Sequence, residues 1–191
     1  MIVLPADYSR VRAYDGTGGS AKLPVGGYVC RILDAASDKL PSGGDRLSVI
    51  FEIVEGPYAG YFKEKYEHKK QYGEAKWPGV FRAPVLTREG KTSGYFKGLL
   101  TSIEQSNDGY KFTGDEKTLK NKLVGFNFGE RDFQASDGQV RTVVEPFYAV
   151  SVKRVRDGIE PPPKKELRGA PAAQNNGFVE VPDDQLPDLP F

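Results

Sequence analysis

The densest group of side chains that could take part in binding chemistry lies between Tyr61 and Arg82. Its aromatic members are Tyr61, Phe62, Tyr66, Tyr72, Trp77 and Phe81. Its cationic members are Lys63, Lys65, Lys69, Lys70, Lys76 and Arg82. The acidic residues of the same stretch are Glu64, Glu67 and Glu74. Aromatic rings offer flat faces for stacking, and lysine and arginine pair with phosphates, so the stretch combines both chemistries.

This combination favours the binding of single-stranded nucleic acid. Each base that stacks on an aromatic side chain gains about 1–3 kcal/mol, and every base has such a face, so no sequence preference is expected. The residues predicted to contact the nucleic acid are Arg46, Tyr61, Lys63, Lys65, Tyr66, Lys69, Lys70, Tyr72, Lys76, Trp77 and Arg82. The alternative is a solvated basic loop without a ligand, with most rings in the core. Phe62 and Phe81 are the strongest core candidates, and Tyr72 and Trp77 are expected to be exposed.

Catalysis and metal binding have little support in the sequence. His68 is the only histidine and Cys30 the only cysteine, which excludes an internal disulfide and a zinc site made of the usual ligands. No nucleophile motif such as G-x-S-x-G occurs. We expect His68 at the surface and Cys30 in the core. The protein is predicted not to be an enzyme and to hold no cofactor and no metal.

Strands are predicted as the elements that position these side chains. The first covers residues 27–37 and the second residues 46–56. In the second strand one face consists of Leu47, Val49, Phe51 and Ile53. Residues 61–68 are predicted as the third strand, paired with the second in a hairpin. Alternation then turns Phe62 inward and predicts an outward platform made of Arg46, Ser48, Ile50, Tyr61, Lys63 and Lys65.

The clearest helix signal spans residues 92–107. Its single apolar stripe consists of Phe96, Leu99, Leu100 and Ile103. Thr92 or Ser93 is the expected N-cap, and the Asn-Asp-Gly sequence at 107–109 is the expected stop. A short second helix is predicted near residues 115–122.

Two further strands, over residues 123–134 and 140–155, follow the helix. An Asp-Gly turn at 137–138 joins them, and Pro146 indicates a bulge or an edge. The predicted order is three strands, one helix and two strands. This order predicts a mainly β protein, a five-stranded OB-fold barrel with one helix between strands 3 and 4. Other five-stranded α+β folds share this order. A disordered C-terminal tail is predicted to follow the barrel.

Composition divides the chain into four parts. These are an N-terminal arm (1–24), the OB-type domain (25–156), a flexible Pro-rich and polar linker (157–182) and an acidic tip (183–191). All 27 lysines and arginines lie at or before Arg168, so residues 1–168 carry 27 − 22 = +5 and the remainder carries −4. No stretch approaches about 18 consecutive apolar residues and the start lacks a signal peptide, which predicts a reduced, cytoplasmic location without a membrane partner.

The last nine residues, DDQLPDLPF, carry a resemblance to a known family. They resemble the acidic C-terminal tip of bacterial single-stranded DNA-binding proteins, which ends in several Asp, an aliphatic residue, Pro and Phe. Asp188, Leu189, Pro190 and Phe191 match that ending, and Asp183 and Asp184 match the acidic run. The Gln-Leu-Pro at 185–187 interrupts the run and departs from the family pattern.

Residues 23–156 also look like the bacteriophage-type branch of this family. The segments that carry this similarity are LPVGGYVCRILDA, FEIVEGPYAGYF, YFKGLLTSIEQSN and KLVGFNFGERDF. The resemblance implies an OB domain that coats single-stranded DNA during replication or recombination, in the bacterial host cytoplasm if the protein is phage-encoded.

The resemblance also implies that the tip binds replication, recombination and repair proteins. The ring of Phe191 would enter an apolar pocket, while basic residues of the partner meet the carboxylates. Two rival interpretations remain open at this stage: a single-stranded RNA-binding protein, and an adaptor that uses the tail without binding nucleic acid. Proteins of this family often assemble, but no segment specifies a subunit contact, so a homo-oligomer stays open.

Overall fold

The computed structural model describes residues 22–40 and 43–167. Its elements, in chain order, are β1 (Gly26–Lys39), β2 (Asp45–Ile53), α1 (Tyr61–Lys70), β3 (Val80–Pro84), α2 (Gly94–Ser106), a 3-10 turn (Glu116–Leu119), β4 (Leu123–Gln134), β5 (Val140–Val150) and α3 (Val152–Arg156). The strands form one antiparallel sheet in the order β3-β2-β1-β4-β5. A mainly β fold with five strands is confirmed, but β3 and β5 are not paired, so the sheet is open.

The core lies on the inner face of this sheet. The predicted alternation of β2 is confirmed, because Leu47, Val49, Phe51 and Ile53 are all buried. The ring centroid of Phe51 lies 4.5 Å from that of Phe126 on β4. Burial of a large apolar side chain contributes about 1.5–3 kcal/mol, so this aromatic cluster is a main source of stability.

The prediction of a strand over residues 61–68 is wrong, because Tyr61–Lys70 forms α1. Gly60, at a φ of 83°, turns the chain out of β2 in a conformation that favours glycine. The buried carboxylate of Glu52 then accepts hydrogen bonds from the backbone N–H groups of Phe62 and Lys63, at 3.0 and 2.6 Å. Backbone N–H groups in the first turn of a helix have no acceptor within the helix, so a carboxylate that accepts from them stabilises the helix N-terminus. The third strand of the sheet is β3, in a stretch between the predicted third strand and the long helix for which no strand was predicted.

The predicted long helix is confirmed as α2. Leu99 and Ile103 are fully buried, and Phe96 and Leu100 pack against the core. Ser93 occupies the N-cap position without a side-chain hydrogen bond, and Asn107 ends the helix. The predicted helix near 115–122 is reduced to the 3-10 turn.

The last hairpin matches its prediction at β4 and at the turn, where Gly138 has a φ of 80°. A register shift opposite Pro146 confirms the expected bulge. The last strand was predicted to reach residue 155, but it ends at Val150, because α3 begins after Ser151. The Ser151 hydroxyl accepts a hydrogen bond from the Arg154 N–H at 3.3 Å and so starts the helix.

The segment after β5, residues 151–165, packs on the outer face of the sheet, and we call it the covering segment. Three glycines of the sheet make this packing possible. A Cβ at Gly125 would lie 2.6 Å from the Val155 side chain, and one at Gly129 would lie 2.7 Å from Pro162. Gly27 approaches Ile159 in the same way. The absence of side chains at these positions therefore makes room for the covering segment.

The covering segment continues as a parallel partner of β4. The Lys165 N–H donates to the Glu130 carbonyl at 2.8 Å, and the Asp132 N–H donates to the Lys165 carbonyl at 2.9 Å. The linker predicted over 157–182 thus pairs with β4 at Lys165, and its residues from 168 onward lie outside the described residues. No helix in the described part of the chain has the length and apolar character needed to span a membrane.

Candidate functional site

The structure brings most of the predicted contact residues onto α1 and the loop that follows it. We call this set the α1 surface: Tyr61, Lys63, Lys65, Tyr66, Lys69, Lys70, Tyr72, Lys76 and Trp77. The lysines at 63, 69, 70 and 76 are exposed, whereas Lys65 is half-buried. A helix thus collects side chains that were predicted to lie on a strand.

Two lysines of the α1 surface lie over tyrosine rings. The ammonium nitrogen of Lys65 is 5.0 Å from the ring centroid of Tyr61 and donates a 2.9 Å hydrogen bond to its hydroxyl. That of Lys70 is 6.0 Å from the centroid of Tyr66. The two members of each pair are four positions apart in the sequence, and residues at this spacing are neighbours on one face of a helix. The helix therefore sets a cation beside an aromatic face twice along its length.

Tyr72 and Trp77 differ in exposure. Tyr72 is 79% exposed, as predicted, and its ring lies 5.3 Å from that of His68 at the surface. Trp77 was expected to be exposed but is half-buried, because its indole N–H donates to the Phe51 carbonyl at 2.9 Å. Its ring lies 5.4 Å from that of Tyr66. Trp77 thus anchors the loop to β2 and supports the Tyr66 ring.

Among the residues that the structure describes, the lysines of the α1 surface have no acidic partner within ion-pair distance. None of the ion pairs between described residues includes a lysine of α1 or Lys76. Glu64, Glu67 and Glu74 lie in the same stretch but form no ion pair there. These ammonium groups are therefore available to an anionic ligand.

Arg46 and Arg82 lie apart from α1, on the outer face of β2 and β3. The Arg46 guanidinium forms two 2.7 Å hydrogen bonds to the Asp38 carboxylate on β1. This contact lowers the pKa of Asp38, and Arg82 lowers it further through its charge. The predicted platform is therefore wrong in composition, because its three α1 members belong to a helix rather than to this sheet face.

A groove of about 270 Å³ runs between α1 and β5. Its polar and charged lining consists of Lys22, Tyr61, Lys65 and Thr142, and its apolar lining of Leu23, Phe62, Pro78, Val143 and Val144. Lys22 and Thr142 are not among the predicted contact residues. No local pattern identifies them, since they meet α1 only through tertiary packing.

Cys30 is fully buried as predicted, and burial raises the pKa of its thiol. Within residues 22–40 and 43–167, no group of three or more His, Cys, Asp or Glu side chains is placed to hold a metal ion. The tip residues Asp183, Asp184, Asp188, Leu189, Pro190 and Phe191 lie outside the described residues, so their role stays a prediction.

Comparison with known proteins identifies no relative of the chain. No protein-family model matches the chain, and no curated protein matches it either.

Proposed function

We propose that this protein binds single-stranded DNA without sequence preference through an OB-type domain, as a binding protein rather than an enzyme. The observation that supports this most directly is the α1 surface, where unpaired lysines accompany tyrosine rings. Lysines pair with the phosphates of a single strand, and tyrosine rings stack with its unpaired bases. Coating and protecting DNA during replication or recombination is the corresponding role.

The sheet supports an OB-type domain. In that fold five strands form a partly open barrel. Here β1 pairs with both β2 and β4 and contains a register shift after Ile32, which favours strong bending. The unpaired edges also approach each other, since one cavity is lined by Val80–Arg82 of β3 and Glu145–Phe147 of β5. These features support an OB-type barrel that stays open between β3 and β5.

Titration of the intrinsic tyrosine and tryptophan fluorescence with poly-dT at two salt concentrations tests the proposal. We expect quenching on binding, with log K falling against log salt by about 0.7 per phosphate contact. Absence of quenching at both salt concentrations would contradict DNA binding and favour the tail-only adaptor. Competition with RNA of the same base sequence distinguishes the RNA-binding rival, because 2′-hydroxyl contacts would favour RNA.

We also propose that residues 183–191 recruit replication, recombination or repair proteins. Their composition supports this: an acidic segment with a single large aromatic ring can act as a docking motif with the ring as its anchor. Affinity capture of host proteins with the full chain, compared with a Phe191→Ala variant, tests it. Equal capture by both proteins would contradict the proposed anchor.

A further inference from the structure

We infer that the single strand follows α1 and enters the groove between α1 and β5, and that it does not cross the outer face of β1, β2 and β3. This inference rests on the proposed function, because it concerns the path of the same ligand. It divides the predicted contact residues into those of the α1 surface, which bind, and Arg46 and Arg82, which do not.

The outer face of β1–β3 is electrically balanced. The strand register places Asp38 beside Arg46, Ser48 beside Arg82, and Asp34 beside Ile50. These three rows match two arginines with two aspartates, and Arg46 is already held by two hydrogen bonds. The next row of β1 and β2 adds one charge of each sign, since it pairs the exposed Arg31 with Glu52. A phosphate that approaches this face gains little net attraction and must compete with Asp38 for the guanidinium of Arg46.

Among the described residues, the three rows through Arg46, Ser48 and Ile50 carry no aromatic ring on which a base could stack. At the open edge of β3, Arg82 also lines a cavity with Tyr95 and Phe147. Apart from the four charged residues, these paired rows contain Ala36, Ser48, Ile50, Val80 and Pro84. Binding without sequence preference depends on aromatic faces as well as charge. These three rows therefore provide neither requirement.

The α1 surface provides both requirements in a fixed geometry. Trp77 is tied to β2 by its indole N–H and lies against Tyr66, which holds that ring in place before a ligand arrives. Ten residues at about 1.5 Å each give α1 a length of about 15 Å along which lysines and tyrosines recur. A pre-ordered row of this kind reduces the entropy lost on binding.

Lys65 connects the α1 surface to the groove. Its ammonium group lies over Tyr61, and both residues line the groove together with Lys22 and Thr142. Lys22 is exposed, and no ion pair between described residues includes it. The backbone of the strand therefore runs from Lys70 past Lys65 to Lys22, while bases lie against the tyrosines.

Two double variants that remove the same charge test the path. Lys65→Gln/Lys70→Gln and Arg46→Gln/Arg82→Gln each lose two positive charges, so their effects on long-range attraction match. The probe is a fluorescently labelled oligo-dT, and its affinity is measured by anisotropy over a series of salt concentrations. Circular dichroism and thermal melting establish that each variant is folded.

If the single strand follows α1, only the Lys65→Gln/Lys70→Gln variant should lose phosphate contacts. Its salt slope should decrease by about 1.4, at about 0.7 for each contact, while the arginine variant keeps the wild-type slope. An equal decrease in both variants, or a decrease in the arginine variant alone, would overturn the path and leave DNA binding intact. Failure of the wild-type protein to bind oligo-dT would overturn the proposed function and the path with it.

Lys22→Gln tests the groove separately. We expect its salt slope to decrease by about 0.7, since one phosphate contact is lost. Arg82→Gln, which removes one charge from the outer sheet face, is the matched control and should keep the wild-type slope. An unchanged slope for Lys22→Gln would remove the groove from the path.

Discussion

Glu52 shows how one side chain can decide the structure around a binding surface. The alternation of β2 places it on the polar face, yet it is buried and accepts hydrogen bonds from the N–H groups of Ile53, Phe62 and Lys63. Two of these donors belong to the first turn of α1. The carboxylate therefore links the end of β2 to the helix that carries the proposed contacts.

Replacement of Glu52 by Gln should lower the free energy of unfolding by about 1–3 kcal/mol, because charge-assisted hydrogen bonds to buried backbone groups are lost. Urea denaturation measures the change. Glu67→Gln, at an exposed position of α1, is the control and should change stability by less than about 0.5 kcal/mol. Equal effects of the two substitutions would contradict a capping role for Glu52.

A second prediction at the scale of single residues concerns Cys30 and the dependence of protein stability on pH. Burial raises the pKa of its thiol in the folded protein, whereas an unfolded cysteine titrates near about pH 8.5. The folded state therefore holds the proton more tightly, and this contribution to stability is present below about pH 8.5 and lost above it. The difference in unfolding free energy between wild type and Cys30→Ala should shrink from pH 8 to pH 10, as measured by urea denaturation. A constant difference would contradict the shift.

At the scale of elements, close packing between α3 and the sheet depends on residues without side chains. A Cβ at Gly125 would lie 2.6 Å from Val155 and 2.9 Å from the Val150 carbonyl oxygen. In α2, by contrast, a Cβ at Gly98 would meet no atom within 4 Å. The two glycines therefore differ in their tolerance for a methyl group.

Gly125→Ala should destabilise the protein by about 1–3 kcal/mol, because the backbone cannot move away without disturbing β5. Gly98→Ala should stabilise it by about 0.5–1 kcal/mol, because alanine has the higher helix propensity. Both values follow from urea denaturation under one set of conditions. Tolerance of Gly125→Ala would contradict the tight contact between α3 and β4.

At the scale of the whole molecule, charge is divided between body and tail. Residues 1–168 carry +5, and the remainder carries −4. An acidic segment tethered to a basic body can compete with DNA for it, most effectively at low salt, where screening is weak. The tail would then regulate the proposed binding in addition to recruiting partners.

Removal of residues 183–191 should tighten binding to oligo-dT at low salt and have little effect at high salt. Anisotropy titrations at both salt concentrations measure this. A variant with the same nine residues in scrambled order is the control: it keeps the charge, so its DNA affinity should equal that of the full chain, while partner capture is lost. Equal affinities of full-length and truncated protein at low salt would contradict competition by the tail.

The sequence by itself determined the elements whose signals are local. The alternation in β2, the apolar stripe of α2 and the Asp-Gly turn before β5 each depend on residues within one element, and the structure has all three. Charge division and the aromatic and lysine content of residues 61–82 were also evident without a structure. These properties follow from composition and periodicity alone.

Only the tertiary structure decided how the candidate site is assembled. Residues 61–70 form a helix because Glu52, distant in sequence, accepts hydrogen bonds from its first turn and because Phe62 packs against Phe51. Arg46 is occupied because the strand register brings Asp38 beside it. Lys22 lines the same groove as Lys65, beside Thr142 of β5. Each of these arrangements joins residues of different elements, eight positions apart or more, so the periodicity within one element does not contain them.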